Sequence, residues 1–365
     1  TFTVVLDPDI TGTLHPERFM LQIPSGFNAG SPEVPLLIAW HGYGNTPNSI
    51  FLTTDYAAEA DDRGWLLMCP EYLYDKSFGT TPAQHHVDFS IDWIKIFHAS
   101  LAGYPGWAGR SGGADPEEDP QTYSVPPIDP DRIYCVGHSM GGGAAISYAA
   151  RHTGLGANRV AAVASLTGTI SLSLAYDVAD DGLKDIFKFI FGGDPSEMPF
   201  SYQQVSVADI DSSTYKIKTD TTMVRNLLGS VPMYMAWSKM DHNTPLVKSN
   251  RELEAWLVSN GYPPEGPGEL QPQQLSADIL GQKGGHSWGL VGASEVCDWL
   301  DGHRAATPLT ANILADRSVQ EYDETFPVYW HGMEVIQAEL GAFAEISYIA
   351  NSLSLIHISE PTRPY

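Results

Sequence analysis

Hydrophobic residues along this chain fall into short continuous blocks separated by polar stretches with helical spacing. Val34 to Trp40 and residues 65–70, 159–166 and 231–237 are almost wholly apolar, as strands are when both sheet faces are covered. Between them, residues 54–63 carry alanines and carboxylates at helical intervals and stop at Gly64. Further helices are expected over 140–152, 244–260 and 291–300. Val87, Ile91, Ile94 and His98 share one helical face over 87–101. Near the N-terminus Phe19, Leu21 and Ile23 alternate with Met20 and Gln22 ahead of a Pro-Ser-Gly turn, which predicts an opening hairpin of short strands. Residues 275–280 read as the last strand. The alternation predicts an α/β architecture, a mostly parallel central sheet with helices on both faces.

The pattern breaks in two places. Residues 102–127 are rich in Gly, Pro and acidic side chains and read as an inserted surface loop. Residues 169–228 read as a second insertion, with an aromatic-rich helix at 183–191 and a helical piece at 221–228. Following a strand's carboxyl end, this insertion is placed to cap a site there. Its Phe187, Phe189, Phe191, Phe200 and Tyr202 either line a groove or form the insertion's own small core. The α/β domain is expected to run over 1–304. Residues 305–352 form a partial β-rich appendage with strands in 321–330 and 333–338. Residues 353–365 resemble a translated sequencing adapter, as if an open reading frame were cut off at the end of a metagenomic fragment, and are set aside as non-native.

Charge narrows the function classes. Twenty basic residues against forty-four acidic ones give a net charge of −24, which repels phosphate backbones and disfavours nucleic-acid and anionic-membrane partners. No apolar run reaches the roughly 18 residues of a membrane span. The three cysteines, Cys69, Cys135 and Cys297, are too few for a disulfide framework and read as buried thiols. The chain opens at Thr1 with no basic-then-apolar leader, as after removal of a signal peptide or trimming. Few lysines and high acidity suit a secreted protein. Asp115, Glu117, Glu118 and Asp119 could hold calcium, but lack the twelve-residue loop spacing and read better as a solvated acidic loop.

The candidate chemistry centres on Gly137-His138-Ser139-Met140-Gly141, which joins an apolar strand to the alanine-rich helix. Glycines either side of the serine permit a sharp strand-to-helix reversal that exposes Ser139 at the sheet's carboxyl edge. The helix aims free N–H groups and its positive dipole end at the same spot. A serine hydroxyl needs a base, and an imidazole suits that task when a carboxylate fixes its tautomer. Asp241, just beyond the 231–237 strand, and His286, in Gly284-Gly285-His286-Ser287-Trp288, complete a set in the order Ser, Asp, His. Of the twelve histidines, His85, His86 and His152 read as surface residues. Asp209 and Asp211 are weaker rivals to Asp241 because they lie in the irregular insertion. His41-Gly42-Tyr43-Gly44 follows the first buried strand, so the backbone N–H groups of Tyr43 and Met140 are the expected oxyanion donors. Gly42, Tyr43, Met140 and Trp288 are expected to converge on the cleft as a substrate surface suited to aryl or polyester chains. No metal or organic cofactor is implied.

These residues resemble the α/β-hydrolase superfamily, and more narrowly the secreted esterases grouped with feruloyl esterases and polyhydroxyalkanoate depolymerases. Three blocks carry the resemblance over about residues 15–302: Pro35 to Gly44 as strand plus oxyanion loop, the Asp129-Pro130-Asp131-Arg132-Ile133-Tyr134 run through Gly142, and Gly284 to Trp288. The surround of Ser139 is also similar to that of bacterial cutinases and polyester hydrolases, whose oxyanion segment differs. The resemblance implies an α/β-hydrolase fold and a serine esterase acting on small or polymeric esters. A serine peptidase of oligopeptidase type and a catalytically silent binding scaffold are the alternatives; no propeller-like repeat precedes the domain to favour the first, and an intact triad argues against the second.

Overall fold

The computed structural model describes residues 2–6, 17–27, 32–71, 125–152, 158–203, 205–218, 223–228 and 231–305, shorter pieces within 79–95, and isolated strands beyond 310. An eight-stranded sheet organises residues 2–305, in the order β1-β2-β4-β3-β5-β6-β7-β8. Its strands are β1 (Phe2–Leu6), β2 (Glu17–Gln22), β3 (Val34–Trp40), β4 (Leu66–Glu71), β5 (Ile128–His138), β6 (Val160–Leu166), β7 (Met233–Ser238) and β8 (Glu265–Leu270). The opening hairpin pairs antiparallel with itself and with β4, and every pairing from β4 to β8 is parallel.

Side chains alternate across a strand, and this splits the apolar runs between two cores. Leu36, Ile38, Trp40, Ile133, Cys135, Met235 and Trp237 face one side, against Ala145 and Tyr148 of α3 (Met140–Arg151) and Leu253 of α7 (Thr244–Ser259). Leu37, Ala39, Tyr134, Val136, Tyr234 and Ala236 face the other side. There they meet Ile50 of α1 (Pro47–Thr53), Tyr56 of α2 (Tyr56–Asp62) and Val296 of α9 (Ala293–Asp301). Every residue of α3 is buried; its glycines and alanines let it lie directly on the sheet.

The insertion after β6 contains α4 (Leu172–Val178), α5 (Asp181–Phe191), α6 (Pro199–Gln203) and a 3₁₀ turn, Met223–Leu227, where a helical piece is expected. Phe187, Phe191 and Tyr202 are buried against one another, whereas Phe189 is 81% exposed; the side chain of Phe200 lies outside the described residues. The aromatics thus serve chiefly as the insertion's own core.

Two expectations need correction. Residues 275–280 are no strand: Ser276 caps α8 (Ala277–Gly281) by accepting the Ile279 N–H. The last strand is instead β8, whose Glu-Gly-Pro-Gly sequence reads as a loop. It occupies a sheet edge, where a proline can sit without breaking a ladder. His152 is no surface residue, because its ring stacks on Tyr148 and its nitrogens face Tyr148 O at 2.7 Å and Asp88 Oδ2 at 3.0 Å. His85, His86, His98 and the 102–124 part of the expected surface loop, with its acidic cluster, fall outside the described residues. Val87, Ile91 and Ile94 are buried on the α3 side of the sheet.

Beyond 305, β9 (Thr310–Asp316), β10 (Val328–Trp330), β11 (Met333–Val335), β12 (Phe343–Ile349) and β13 (His357–Ser359) form a β13-β12-β9 sheet and a β10-β11 pair. β13 falls within the segment read as non-native and pairs antiparallel with β12.

Candidate active site

The site lies at the carboxyl ends of β3, β5, β7 and β8, and its first two loops flank the point where the strand order reverses, the usual crevice of an open parallel sheet. Ser139 joins β5 to α3 with φ 57° and ψ −121°, a conformation that costs a non-glycine residue energy and persists only when surroundings enforce it. Its N–H donates to Leu166 O at 3.0 Å, and its carbonyl accepts from Gly142 and Thr169 at 3.0 and 2.9 Å. The flanking glycines are required for close approach and not for unusual φ. A Cβ on Gly137 would overlap Gly141 O, and one on Gly141 would overlap Trp40 O.

Ser139, His286 and Asp241 form one hydrogen-bonded line. His286 Nε2 lies 3.0 Å from Ser139 Oγ, and His286 Nδ1 lies 2.7 Å from Asp241 Oδ2. The Asp241 side chain is fully buried, and its other oxygen accepts from Asn243 N–H at 2.8 Å and faces His242 Nδ1 at 3.2 Å. The rivals are elsewhere: Asp209 pairs with Lys218, and Asp211 holds the turn at Ser213 and Thr214.

The loop carrying His286 is pressed onto the loop carrying Asp241. Lys283, Gly284 and Gly285 all have positive φ, His242 N–H donates to Lys283 O at 3.0 Å, and Ser238 Oγ donates to Gly284 O at 2.6 Å. A Cβ on Gly284 would overlap Met240 O, so only glycine lets the loops meet there.

His41-Gly42-Tyr43 packs beside the serine: a Cβ on Gly42 would stand 3.5 Å from Ser139 Cβ. Met140 is the first residue of α3, so its N–H has no acceptor within the helix. Gly42, Tyr43 and Met140 line a cavity of about 830 Å³ together with Ser139 and His286. Trp288 does not line it, contrary to expectation. Its ring packs edge-on against Tyr56 at 5.4 Å and lies 5.6 Å from His138, beneath the histidine loop.

His138, which the motif treats as a mere spacer, lies 4.7 Å from the His286 ring, with both of its nitrogens buried and unpartnered among the described residues. Burial first, and His286 second, hold its pKa well below the ordinary imidazole value, so it is neutral. Sequence reasoning also missed Leu174, Ala175, Val178 and Leu183 in the cavity lining, and His242, Gln282 and Lys283 with them. The signal for the first group was present in the helical spacing of 171, 174, 175 and 178, masked by the more conspicuous aromatics.

Asp241, His242 and His286 place potential metal-ligand atoms within 4.8 Å of one another. Both oxygens of Asp241 already face nitrogen groups, however, which suits a carboxylate that orients an imidazole better than one that holds a cation.

A family model described as "alpha/beta hydrolase fold" matches residues 119–197. A hyperthermophilic esterase from the archaeon Pyrobaculum calidifontis superposes with a TM-score of 0.51 at 12% identity, covering 82% of each chain. The chain has the α/β-hydrolase fold. The fluorophosphonate-binding serine hydrolase F of Staphylococcus aureus is also similar, with 14% identity, 70% of this chain and 86% of that chain covered, and a TM-score of 0.44. So is an S-formylglutathione hydrolase from Agrobacterium tumefaciens, at 12% identity, 79% and 90% coverage and a TM-score of 0.46. No curated protein matches the sequence significantly. Within this α/β-hydrolase fold the serine follows β5, the aspartate β7 and the histidine β8, each on a loop at the same edge of the sheet.

Proposed function

We propose that this chain is a secreted serine carboxylic-ester hydrolase working through an acyl-enzyme. The observation that carries this reading is the Asp241–His286–Ser139 line, with its 2.7 and 3.0 Å spacings and a serine held in strained backbone geometry. Ser139 Oγ attacks the ester carbonyl carbon while its proton passes to His286 Nε2, and Asp241 fixes the Nδ1–H tautomer and stabilises the imidazolium. The carbonyl oxygen, now an oxyanion, is held by the N–H groups of Tyr43 and Met140. Collapse breaks the bond to the leaving oxygen, which takes the proton from His286 and departs as the alcohol. Water then gives a proton to His286 and attacks the acyl carbon, and collapse releases the acid and restores Ser139.

The resemblance in the sequence brings hydroxycinnamoyl esters, polyhydroxyalkanoates and aromatic polyesters into the substrate range. With Trp288 away from the cavity, support for the aromatic members rests on Tyr43, which is 40% exposed at the cavity, and on Phe187 in its lining. Secretion rests on the acidic, lysine-poor composition. A fluorophosphonate probe is expected to form one adduct, on Ser139, and Ser139→Ala is expected to abolish hydrolysis of p-nitrophenyl acetate. Hydrolysis persisting in that variant refutes the assignment.

A further inference from the structure

His286 is held at its two nitrogens, by Asp241 and by Ser139, but two hydrogen bonds leave an imidazole able to tilt and to change rotamer. Room for such a swing lies beside it. The ring borders the cavity of about 830 Å³, and its side chain is 15% exposed. Lateral packing therefore decides whether the base stays aligned. Among the described residues two rings supply it. His242 stands edge-on at 5.4 Å, with half of its own side chain exposed. His138 lies closer, at 4.7 Å with the ring planes 60° apart, and is buried.

Of the two, His138 is the firmly rooted one. It is the last residue of β5, in register with Leu166 of β6, and directly precedes Ser139, so one stretch of chain fixes it and the nucleophile together. Its ring lies 5.6 Å from Trp288, and Trp288 packs edge-on against Tyr56, which is buried in the core beside α2. The oxyanion loop closes in as well: a Cβ on Gly42 would stand 3.4 Å from His138 Nδ1. A row of rings, Tyr56, Trp288, His138 and His286, thus runs from the core to the general base. A ring in this place must also be uncharged, because His286 becomes a cation when it takes the serine proton and a second cation 4.7 Å away would oppose that step. Burial and the neighbouring His286 hold His138 neutral.

We infer that His138 is a positioning residue for the general base: its buried ring, backed by Trp288 and Tyr56, keeps the His286 imidazole between Asp241 Oδ2 and Ser139 Oγ. The kinetic consequence rests on the serine-esterase reading, whereas the consequence for the His286–Asp241 hydrogen bond rests on geometry alone. What the inference requires at position 138 is a flat, uncharged ring. Phenylalanine is expected to serve there and a small aliphatic side chain is not.

The test compares the wild type with His138→Ala, His138→Val and His138→Phe by two readouts: steady-state hydrolysis of p-nitrophenyl acetate, and the downfield proton magnetic resonance of His286 Nδ1–H on Asp241. Thermal melting establishes that each variant is folded. Without the ring His286 swings, so in His138→Ala and His138→Val kcat is expected to fall on the order of a hundredfold, with KM changed much less and the resonance lost or broadened. His138→Phe is expected to keep the resonance and a kcat within about fivefold of the wild type. Valine is a good strand former, so its variant remains informative if His138→Ala fails to fold. A wild-type kcat and an intact resonance in either folded aliphatic variant overturn the inference. So does a change confined to KM, which would make His138 a substrate contact, and so does a His138→Phe as impaired as His138→Ala, which would make the imidazole itself the requirement. If the wild type shows neither hydrolysis nor fluorophosphonate labelling, the esterase reading falls, and the resonance in the variants still decides whether His138 positions His286.

Discussion

Among single residues, His138 is the one whose environment conflicts most with its chemistry. An imidazole with two buried, unpartnered nitrogens is tolerable only while neutral, and burial together with His286 depresses its pKa. In the unfolded chain it takes a proton near pH 6.5, whereas in the folded chain it does so only well below that value. Between the two the unfolded state binds more protons, so stability rises with pH there. The stabilisation is present above about pH 6.5 and is lost as the pH falls toward the folded pKa. His138→Phe is accordingly expected to lose less stability than the wild type between about pH 7.5 and pH 5, measured by urea midpoints. Parallel losses in the two proteins would show that His138 does not titrate in this way.

At the scale of elements, the site depends on two loops meeting, since Asp241 and His286 come from different strand ends. The Ser238–Gly284 hydrogen bond and the His242–Lys283 backbone bond clamp them, and Gly284 supplies both the positive φ and the clearance below Met240 O. Gly284→Ala must either shift the histidine loop or strain it. A displacement of about 1 Å in such a constellation costs on the order of a hundredfold in rate, so kcat should fall by that order while KM changes much less. Steady-state kinetics alongside circular-dichroism melting checks this. A variant with normal kcat would mean that the loops do not need this contact. Trp288 belongs to the same scale: its place under the histidine loop, against Tyr56, makes it a support for the loop.

Over the whole molecule, the described part of the α/β unit closes on itself at its C-terminal end. Ala305 N–H donates to Asp131 O at 2.8 Å, Arg304 pairs with Asp129, and Tyr134 donates to His303 O. These ties hold the last residues of the unit to the start of β5. We propose a domain boundary at 304, so a chain ending at Ala305 is expected to fold and to keep the proposed ester hydrolysis. Loss of the fluorophosphonate adduct in a soluble, folded 1–305 protein would place the 306–365 segment within the functional unit. The three free thiols fit a buried role: desolvation raises the pKa of each, for Cys297 to about 12, which leaves them protonated and unreactive near neutral pH.

The continuous apolar blocks of β3 to β7 and the alanine-rich helix after Ser139 were legible in the sequence because burial on both faces of a parallel sheet leaves a local signature. That Ser139, Asp241 and His286 would sit on loops beyond strand ends was legible for a related reason, since each ends a strand or sits among glycines that a tight loop demands, and the three do meet in space. β8 was hidden because an edge strand needs no apolar run and tolerates Gly and Pro. Tertiary packing alone decided that Trp288 lies beneath the loop and not on the cleft, that His138 sits against His286, and that α4 and α5 supply the aliphatic wall. A residue's neighbours across the chain depend on how the insertion after β6 folds back over the sheet edge, and local pattern carries no record of that distance.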